Sequence, residues 1–356
     1  MTKIAVIVNK YYPFIGGTEN LAKTIVENAL LDDYEVEIIT NPLQGREPDK
    51  INYKVNEILL NDITLLNNTL KQYDICFFFA DLHSEHLNGY NFSCKRNICV
   101  LNIDERTYQM RNSFSNATNN LKKFDKVVTF TLNGVANKFL KENNIPNVYI
   151  QNFSRDVLKT PKNNEFADKI KNLFQNTDRS LIVYPAVFEQ RKNQLYLISK
   201  MIEQSHLREF NWLFIGPFHE SSYISECILQ SRKMNLPTAF MKGTNDLEKL
   251  DNIYQVSDIV CLTSIAEGMP LVLFEAMSAN KPWVSTPVGG VPSVLGNTQT
   301  GVILSAIQYT GNELYESIKT ALKLEKNNNS RDIWENNYNE KIVLQKYKNL
   351  VKEIIQ

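Results

Sequence analysis

Short apolar runs recur along the chain between helix-like segments. In the first half they are Ile4 to Val8, Val36 to Ile39, Ile75 to Phe79, Ile98 to Leu101, Val127 to Phe130 and Val148 to Ile150. In the second half they are Leu181 to Tyr184, Trp212 to Ile215, Ile259 to Leu262, Trp283 to Val284 and Val302 to Leu304. These runs are nearly continuous and rich in β-branched and aromatic residues, as strands covered on both faces are; half-exposed strands would alternate. Helical periodicity predicts helices over Glu19 to Leu31, Gln194 to Glu203, Ser221 to Met234, Leu247 to Val256, Leu271 to Ala279 and Glu313 to Leu324. Strands alternating with helices imply parallel crossovers and an α/β architecture.

Between Ile150 and Leu181 the pattern lapses into Asn, Lys, Asp and Thr around Pro161, which places a domain boundary within residues 153 to 178. We take 1–155 as a first domain and 156–340 as a second. Ile342 to Ile355 forms an amphipathic stripe that must pack on something, and periodicity does not say on which domain.

The 356 residues suffice for two cores, and 39 basic against 39 acidic residues leave no formal net charge. That balance argues against a nucleic-acid binder, which needs a basic excess. Arg106, Arg111, Lys122, Lys123 and Lys126 make one stretch locally basic. A solvated face is its plain reading, and contact with an anionic lipid carrier or a membrane surface the sharper one. Five cysteines without a C-x-x-C pair point to a reducing, cytoplasmic setting without a zinc site. The N-terminal apolar run is too short for a secretory signal.

The strongest chemical signal is Glu267-Gly268-Met269-Pro270-Leu271-Val272-Leu273-Phe274-Glu275-Ala276-Met277, a loop-to-helix junction after the Ile259 to Leu262 strand. In an open parallel sheet, ligands bind beyond the carboxyl ends of the strands, and helix N-terminal N–H groups receive anions. Leu271 and Val272 would then offer their N–H groups to a diphosphate, with Glu267 and Glu275 accepting hydroxyls at its two ends. On spacing alone the plainer reading is a helix-start acid and a surface acid. Likewise, Gly16-Gly17 alone is a tight turn and Arg191-Lys192 alone a solvated pair. Gly16-Gly17 lacks the third glycine of a dinucleotide fingerprint, which disfavours a nicotinamide or flavin enzyme. No D-x-D pair ends a strand, so no divalent metal is expected.

The Glu267 to Met277 run strongly resembles the E-G-x-P-L-V-x-x-E-A-M signature of retaining GT-B glycosyltransferases, the group often called family 4. Thr286-Pro287-Val288-Gly289-Gly290-Val291-Pro292 resembles that family's next strand and turn, and Tyr12-Pro13-Phe14-Ile15-Gly16-Gly17-Thr18-Glu19 its P-x-x-G-G-x-E loop. Met241-Lys242-Gly243 resembles its F-x-G element, whose backbone reads the nucleotide base. The resemblance implies two facing Rossmann-like domains with a central cleft, the first holding the acceptor and the second the nucleotide-sugar donor. It also implies a final helix, 341–356, crossing back to the first domain. The implied reaction transfers a hexosyl-type sugar from a nucleoside diphosphate sugar to an acceptor hydroxyl with retention, without cofactor or metal. The implied setting is surface polysaccharide or glycolipid assembly on a glycan, lipid-linked or protein-linked acceptor, at the inner face of the membrane if peripheral.

Carried onto this sequence, Glu267 holds donor-sugar hydroxyls, Glu275 the ribose, and Lys192 and Arg191 the phosphates. The backbone of Gly16, Gly17, Met241, Gly268, Met269, Pro270, Leu271 and Val272 lines the donor. His83 and Asp104 are acceptor-side candidates. Three departures stand out. Pro185-Ala186 occupies the place of the family's Gly-Arg, removing a phosphate cation for which Arg191 would have to substitute. Ile103 stands where the family has a histidine, and Ser293 where it often has Glu. The first two motivate an alternative, a non-catalytic sugar-nucleotide-binding subunit.

Overall fold

The computed structural model describes residues 1–11, 17–43, 51–80, 89–91, 93–101, 119–131, 135–218, 220–244, 246–325 and 329–356. Gly16, His83, Ile103, Asp104, Arg106 and Arg111 lie outside the described residues. The chain forms two compact units, Met1–Gln151 with Lys341–Gln356, and Asn152–Glu340.

The first unit is built on a seven-stranded parallel sheet of β1 (Lys3–Val8), β2 (Glu35–Thr40), β3 (Lys54–Glu57), β4 (Ile75–Ala80), β5 (Arg96–Leu101), β6 (Lys126–Thr129) and β7 (Asn147–Tyr149). Its order is β3-β2-β1-β4-β5-β6-β7. In β1 every residue after Lys3 is buried, the signature of a strand covered on both faces. β3, absent from the apolar pattern, is an edge strand of mixed polarity with no fully buried residue, so it had no apolar run to find. Helix Ile63–Leu70 also escaped the pattern and starts at Asp62, whose carboxylate accepts the Leu65 N–H at 3.0 Å.

The final helix, Glu340–Ile355, buries Val343, Leu344, Tyr347, Leu350, Val351 and Ile354. Its polar groups are tied to the first unit: the Ile354 carbonyl accepts from Arg96 Nε at 3.3 Å, Glu353 pairs with Lys126 at 3.1 Å, and Lys346 Nζ donates to Gln151 at 2.6 Å. The stripe seen in the sequence therefore packs on the first unit.

The second unit carries a six-stranded parallel sheet of β8 (Leu181–Pro185), β9 (Asn211–Gly216), β10 (Thr238–Lys242), β11 (Ile259–Leu262), β12 (Trp283–Ser285) and β13 (Gly301–Ile303), ordered β10-β9-β8-β11-β12-β13. β8 and β9 are buried throughout. Helices Gln194–Glu203 and Leu247–Val256 have the bounds that periodicity predicts, and Leu271–Ser278 stops one residue short.

Residues 153 to 178 are not a loose boundary. The units divide at Gln151–Asn152, and the stretch beyond is pinned into the second unit. Helix Asn164–Lys171, capped by Asn163, places Ile170 and Phe166 against Leu181, Val183, Leu213 and Ile253. Its few apolar residues sit a helical turn apart among charges, too sparse to register as a periodic run.

Candidate functional site

Both sheets reverse their strand order once, between β1 and β4 and between β8 and β11. Neighbouring connections leave in opposite directions at such a point and open a crevice at the strands' carboxyl ends. In the second unit the segments leaving β8 and β11 are the ones that hold Arg191-Lys192 and Glu267.

After β8 the chain makes a short 3-10 turn, Gln190–Lys192. Asn193 follows at φ 64°, a left-handed conformation that Asn tolerates, and its amide donates to the Thr263 carbonyl at 3.2 Å. The buried Tyr184 phenol donates to the Lys192 carbonyl at 2.5 Å and accepts the Thr263 N–H at 2.9 Å. Burial raises the Tyr184 pKa well above its ordinary value, so the phenol remains a donor. Ile265 N–H completes the brace by donating to the Arg191 carbonyl at 2.8 Å.

This bracing brings three predicted residues together. Lys192 Nζ lies 2.5 Å from Glu267 Oε1, and Arg191 Nη1 lies 3.4 Å from Glu267 Oε2. Arg191 also reaches the Ala266 carbonyl at 3.0 Å and pairs with Glu189 at 2.7 Å. The Lys192 and Glu267 side chains are 14% and 8% exposed, whereas Arg191 is 47% exposed. A buried carboxylate is tolerable only with such partners. Arg191 thus places a second cation beside the Glu267 carboxylate.

The Glu267–Gly268 segment is fixed from the far side by the turn after β12. Gly290 N–H donates to the Gly268 carbonyl at 2.7 Å, and Thr286 Oγ1 donates to the Ser264 carbonyl at 2.7 Å. Gly289 has φ +51°, and a Cβ there would stand 2.1 Å from the Glu267 carbonyl oxygen and 2.2 Å from that of Gly268. Only glycine permits both the conformation and the approach.

Helix Leu271–Ser278 begins immediately afterwards. Its N-cap is Pro270, which makes no side-chain cap. The half-buried Leu271 and Val272 stand in the first turn, where N–H groups have no intrahelical acceptor. The Met269 carbonyl is held by the Asn152 amide at 3.2 Å.

Glu275 is not joined to this cluster. It is buried and held by Arg155 and by the Tyr254 phenol, the latter at 2.5 Å. Burial, followed by the Glu275 charge, keeps the Tyr254 pKa well above its usual value. Met241 belongs to the edge strand β10, and its side chain packs with Ala239 against the core, apart from the Glu267 cluster. Gly17 starts helix Gly17–Ile25 of the first unit, and an added Cβ meets no described atom within 4 Å. Nothing within the described protein therefore requires glycine at that position. Tyr184, Thr263, Arg155, Asp251 and Tyr254 had no sequence signal: they lie in strands, helices or polar stretches without a motif.

The family pattern of Glycosyl transferases group 1 matches residues 160–341, just over half of the chain. The chain belongs to the glycosyl transferases group 1 family. Among curated relatives, N-acetyl-alpha-D-glucosaminyl L-malate synthase of Bacillus anthracis is 38% identical over 68 residues, 18% of either chain. D-inositol 3-phosphate glycosyltransferase of Corynebacterium diphtheriae is 37% identical over 113 residues, 31% of this chain and 26% of that protein. These matches span about a quarter or less of the relatives' own length.

Solved structures align over the whole chain. HepE of Anabaena, in complex with UDP and glucose, superposes with a TM-score of 0.78 at 15% identity, over 99% of this chain and 100% of that one. Sucrose-phosphate synthase of Thermosynechococcus elongatus gives 0.77 at 15% identity, over 100% and 99%. At such identity the likeness speaks for the fold: two parallel-sheet α/β domains of the GT-B glycosyltransferase type. Among the described residues, no helix of this group 1 glycosyltransferase chain is long and apolar enough to cross a membrane.

Proposed function

We propose that the protein transfers a sugar from a nucleoside diphosphate sugar to an acceptor hydroxyl with retention of anomeric configuration, in the manner of the retaining family 4 enzymes. The observation that carries this reading is the Lys192, Arg191 and Glu267 cluster beyond the β8/β11 switch point, beside a helix start without a side-chain cap. Two cations and two helix-start N–H groups suit a diphosphate, and a carboxylate among them suits a sugar hydroxyl.

In the reaction the bond from the anomeric carbon to the diphosphate oxygen breaks while the acceptor oxygen bonds to the same face of that carbon, and the acceptor hydroxyl's proton passes to the departing diphosphate oxygen. Charge grows on the departing diphosphate as the sugar acquires oxocarbenium character. Lys192, Arg191 and the N–H groups of Leu271 and Val272 stabilise that charge, and they are positioned before the reaction starts. Glu267 orients the donor sugar through its hydroxyls, Glu275 accepts from the ribose, and the first unit supplies the acceptor site. The basic side chains do the work a divalent metal does elsewhere. Surface polysaccharide or glycolipid assembly is the setting we favour, and HepE, solved with UDP-glucose as well, supports UDP as the first nucleotide to try.

Thermal unfolding with UDP, GDP, ADP, CMP and NAD, each with and without a metal chelator, tests the reading. A ligand at 100 times its dissociation constant adds about 2.7 kcal/mol to stability. A chelator-insensitive rise with one nucleoside diphosphate is expected. No rise with any of them would overturn the donor site, and binding without sugar transfer would favour the non-catalytic subunit.

A further inference from the structure

Inside the second unit, Arg155 joins two carboxylates that no motif connects. Its Nη1 donates to Glu275 Oε1, while Nε and Nη2 donate to Asp251 Oδ1 at 2.9 and 2.6 Å. Asp251 Oδ2 accepts from Thr160 Oγ1 at 2.6 Å, and Glu275 Oε2 accepts from the Tyr254 phenol at 2.5 Å. The Asp251 and Glu275 side chains are 4% and 12% exposed. Arg155 is itself rigidly mounted. Its carbonyl accepts from Ser278 Oγ at 3.1 Å, and the following Asp156 forms a fork-to-fork pair with Arg331 at 2.5 and 2.9 Å.

This arrangement does more than neutralise a buried charge, because a single arginine and a single carboxylate would accomplish that. Asp251 and Thr160 fix one side of the guanidinium plane, so the Nη1 aimed at Glu275 has a set direction. Glu275 is then gripped on one oxygen by a charged donor and on the other by a phenol, which together hold its carboxylate plane. An ionised carboxylate has about four acceptor sites, and Arg155 and Tyr254 use two. The remaining two, one on each oxygen, match a pair of vicinal hydroxyls.

We infer that Arg155 is the positioning residue of a ribose subsite, holding the Glu275 carboxylate so that its free lone pairs accept the vicinal hydroxyls of the donor nucleotide. The inference rests on the reading of Glu275 as the ribose acceptor. Arg155 touches no substrate itself, and its effect reaches the ligand through Glu275.

Calorimetric titration of the full chain with UDP, 2′-deoxy-UDP and 3′-deoxy-UDP tests it, with the GDP or ADP series used if one of those is the nucleotide bound. The wild type should prefer the ribonucleotide by about tenfold or more, as for hydroxyls hydrogen-bonded to a charged acceptor. R155M should lose most of that preference by weakening the ribonucleotide while leaving the deoxy forms nearly unchanged. R155K, which cannot span Asp251 and Glu275 with one fork, should fall in between. If R155M does not fold, R155K and Y254F decide by the same ratio. A variant that is merely less stable, with the ratio within twofold of wild type, overturns the inference. E275Q separates the two levels: loss of preference in E275Q with its retention in folded R155M or R155K overturns the role of Arg155 alone. Retention in E275Q, or no preference in the wild type, overturns the ribose reading and this inference with it.

Discussion

Replacing Gly289 with alanine perturbs Glu267 without touching its carboxylate or either cation. The added Cβ would begin 2.1 Å from the Glu267 carbonyl oxygen, and real Cβ contacts essentially never fall under 3.0 Å, so the two segments must separate by about 0.9 Å. The backbone at φ +51° adds a left-handed penalty of roughly 1–2 kcal/mol for alanine. With the cost of overpacking, G289A should lose about 2–4 kcal/mol of stability. The same shift, carried to the Glu267 side chain, lengthens its 2.5 Å contact with Lys192 towards roughly 3.4 Å, beyond a charged hydrogen bond. A misplacement of about 1 Å in a positioned site costs on the order of 100-fold in turnover. Circular dichroism establishes that G289A is folded at the assay temperature, and nucleotide-sugar titration with turnover measures the rest. A folded G289A that keeps donor affinity and turnover within twofold would refute the argument that the β12 turn sets the Glu267 position.

The cations should separate in magnitude: K192M, which removes the shorter and more buried contact, should weaken nucleoside diphosphate binding about tenfold or more, and R191M, 47% exposed, by less. Equal losses, or none for R191M in the presence of Ala186, would contradict the substitution of Arg191 for the missing phosphate cation. Lys192 is paired with Glu267, so on the proposed reading an incoming diphosphate must compete with that carboxylate, and E267Q should bind bare nucleoside diphosphate tighter by about tenfold while losing sugar transfer. Unchanged or weaker nucleotide binding in E267Q would remove the competition. The Arg331 hydrogen bonds and charge, opposed by burial, depress the Asp156 pKa below its ordinary 3.8. The sign follows: Asp156 stabilises the fold fully above pH ~4, and this is lost as pH falls through the lower folded value. D156N should therefore be less stable than wild type by about 1–3 kcal/mol near neutrality, with the gap closing below pH 4 in urea titrations. A gap that persists unchanged to pH 2.5 would refute this.

The architecture was legible because parallel strands buried on both faces leave long apolar runs. Strands such as β1 and β8 stand out for this reason. Elements that escaped are those whose stability comes from elsewhere. β3 is held at the sheet edge by backbone pairing with β2, which is blind to side-chain polarity. Helix Ser330–Asn337 is anchored by Arg331, which grips Asp156, and by the buried Trp334, whose indole N–H donates to Ser154 Oγ at 2.9 Å. Two such anchors a helical turn apart leave no hydrophobic stripe for a periodicity reading to detect.

The candidate site divides along the same physical line. Glu267, Lys192 and Leu271 could be named because the Glu267 to Met277 run and the loop after β8 resemble a family's motifs, whereas spacing alone favours a helix-start acid and a solvated basic pair. Their supports could not, since Tyr184 acts through a phenol reaching from inside a strand to the Lys192 carbonyl, and Tyr254 from inside a helix to Glu275. In sequence both are ordinary core aromatics. Arg155 is harder still: it stands 120 residues from Glu275 and 96 from Asp251, in a polar stretch that resembles a linker. What turns that stretch into structure is the exchange of charge itself, because two carboxylates buried near each other require a cation with fixed direction, and a guanidinium supplies both charge and direction where an ammonium supplies only charge.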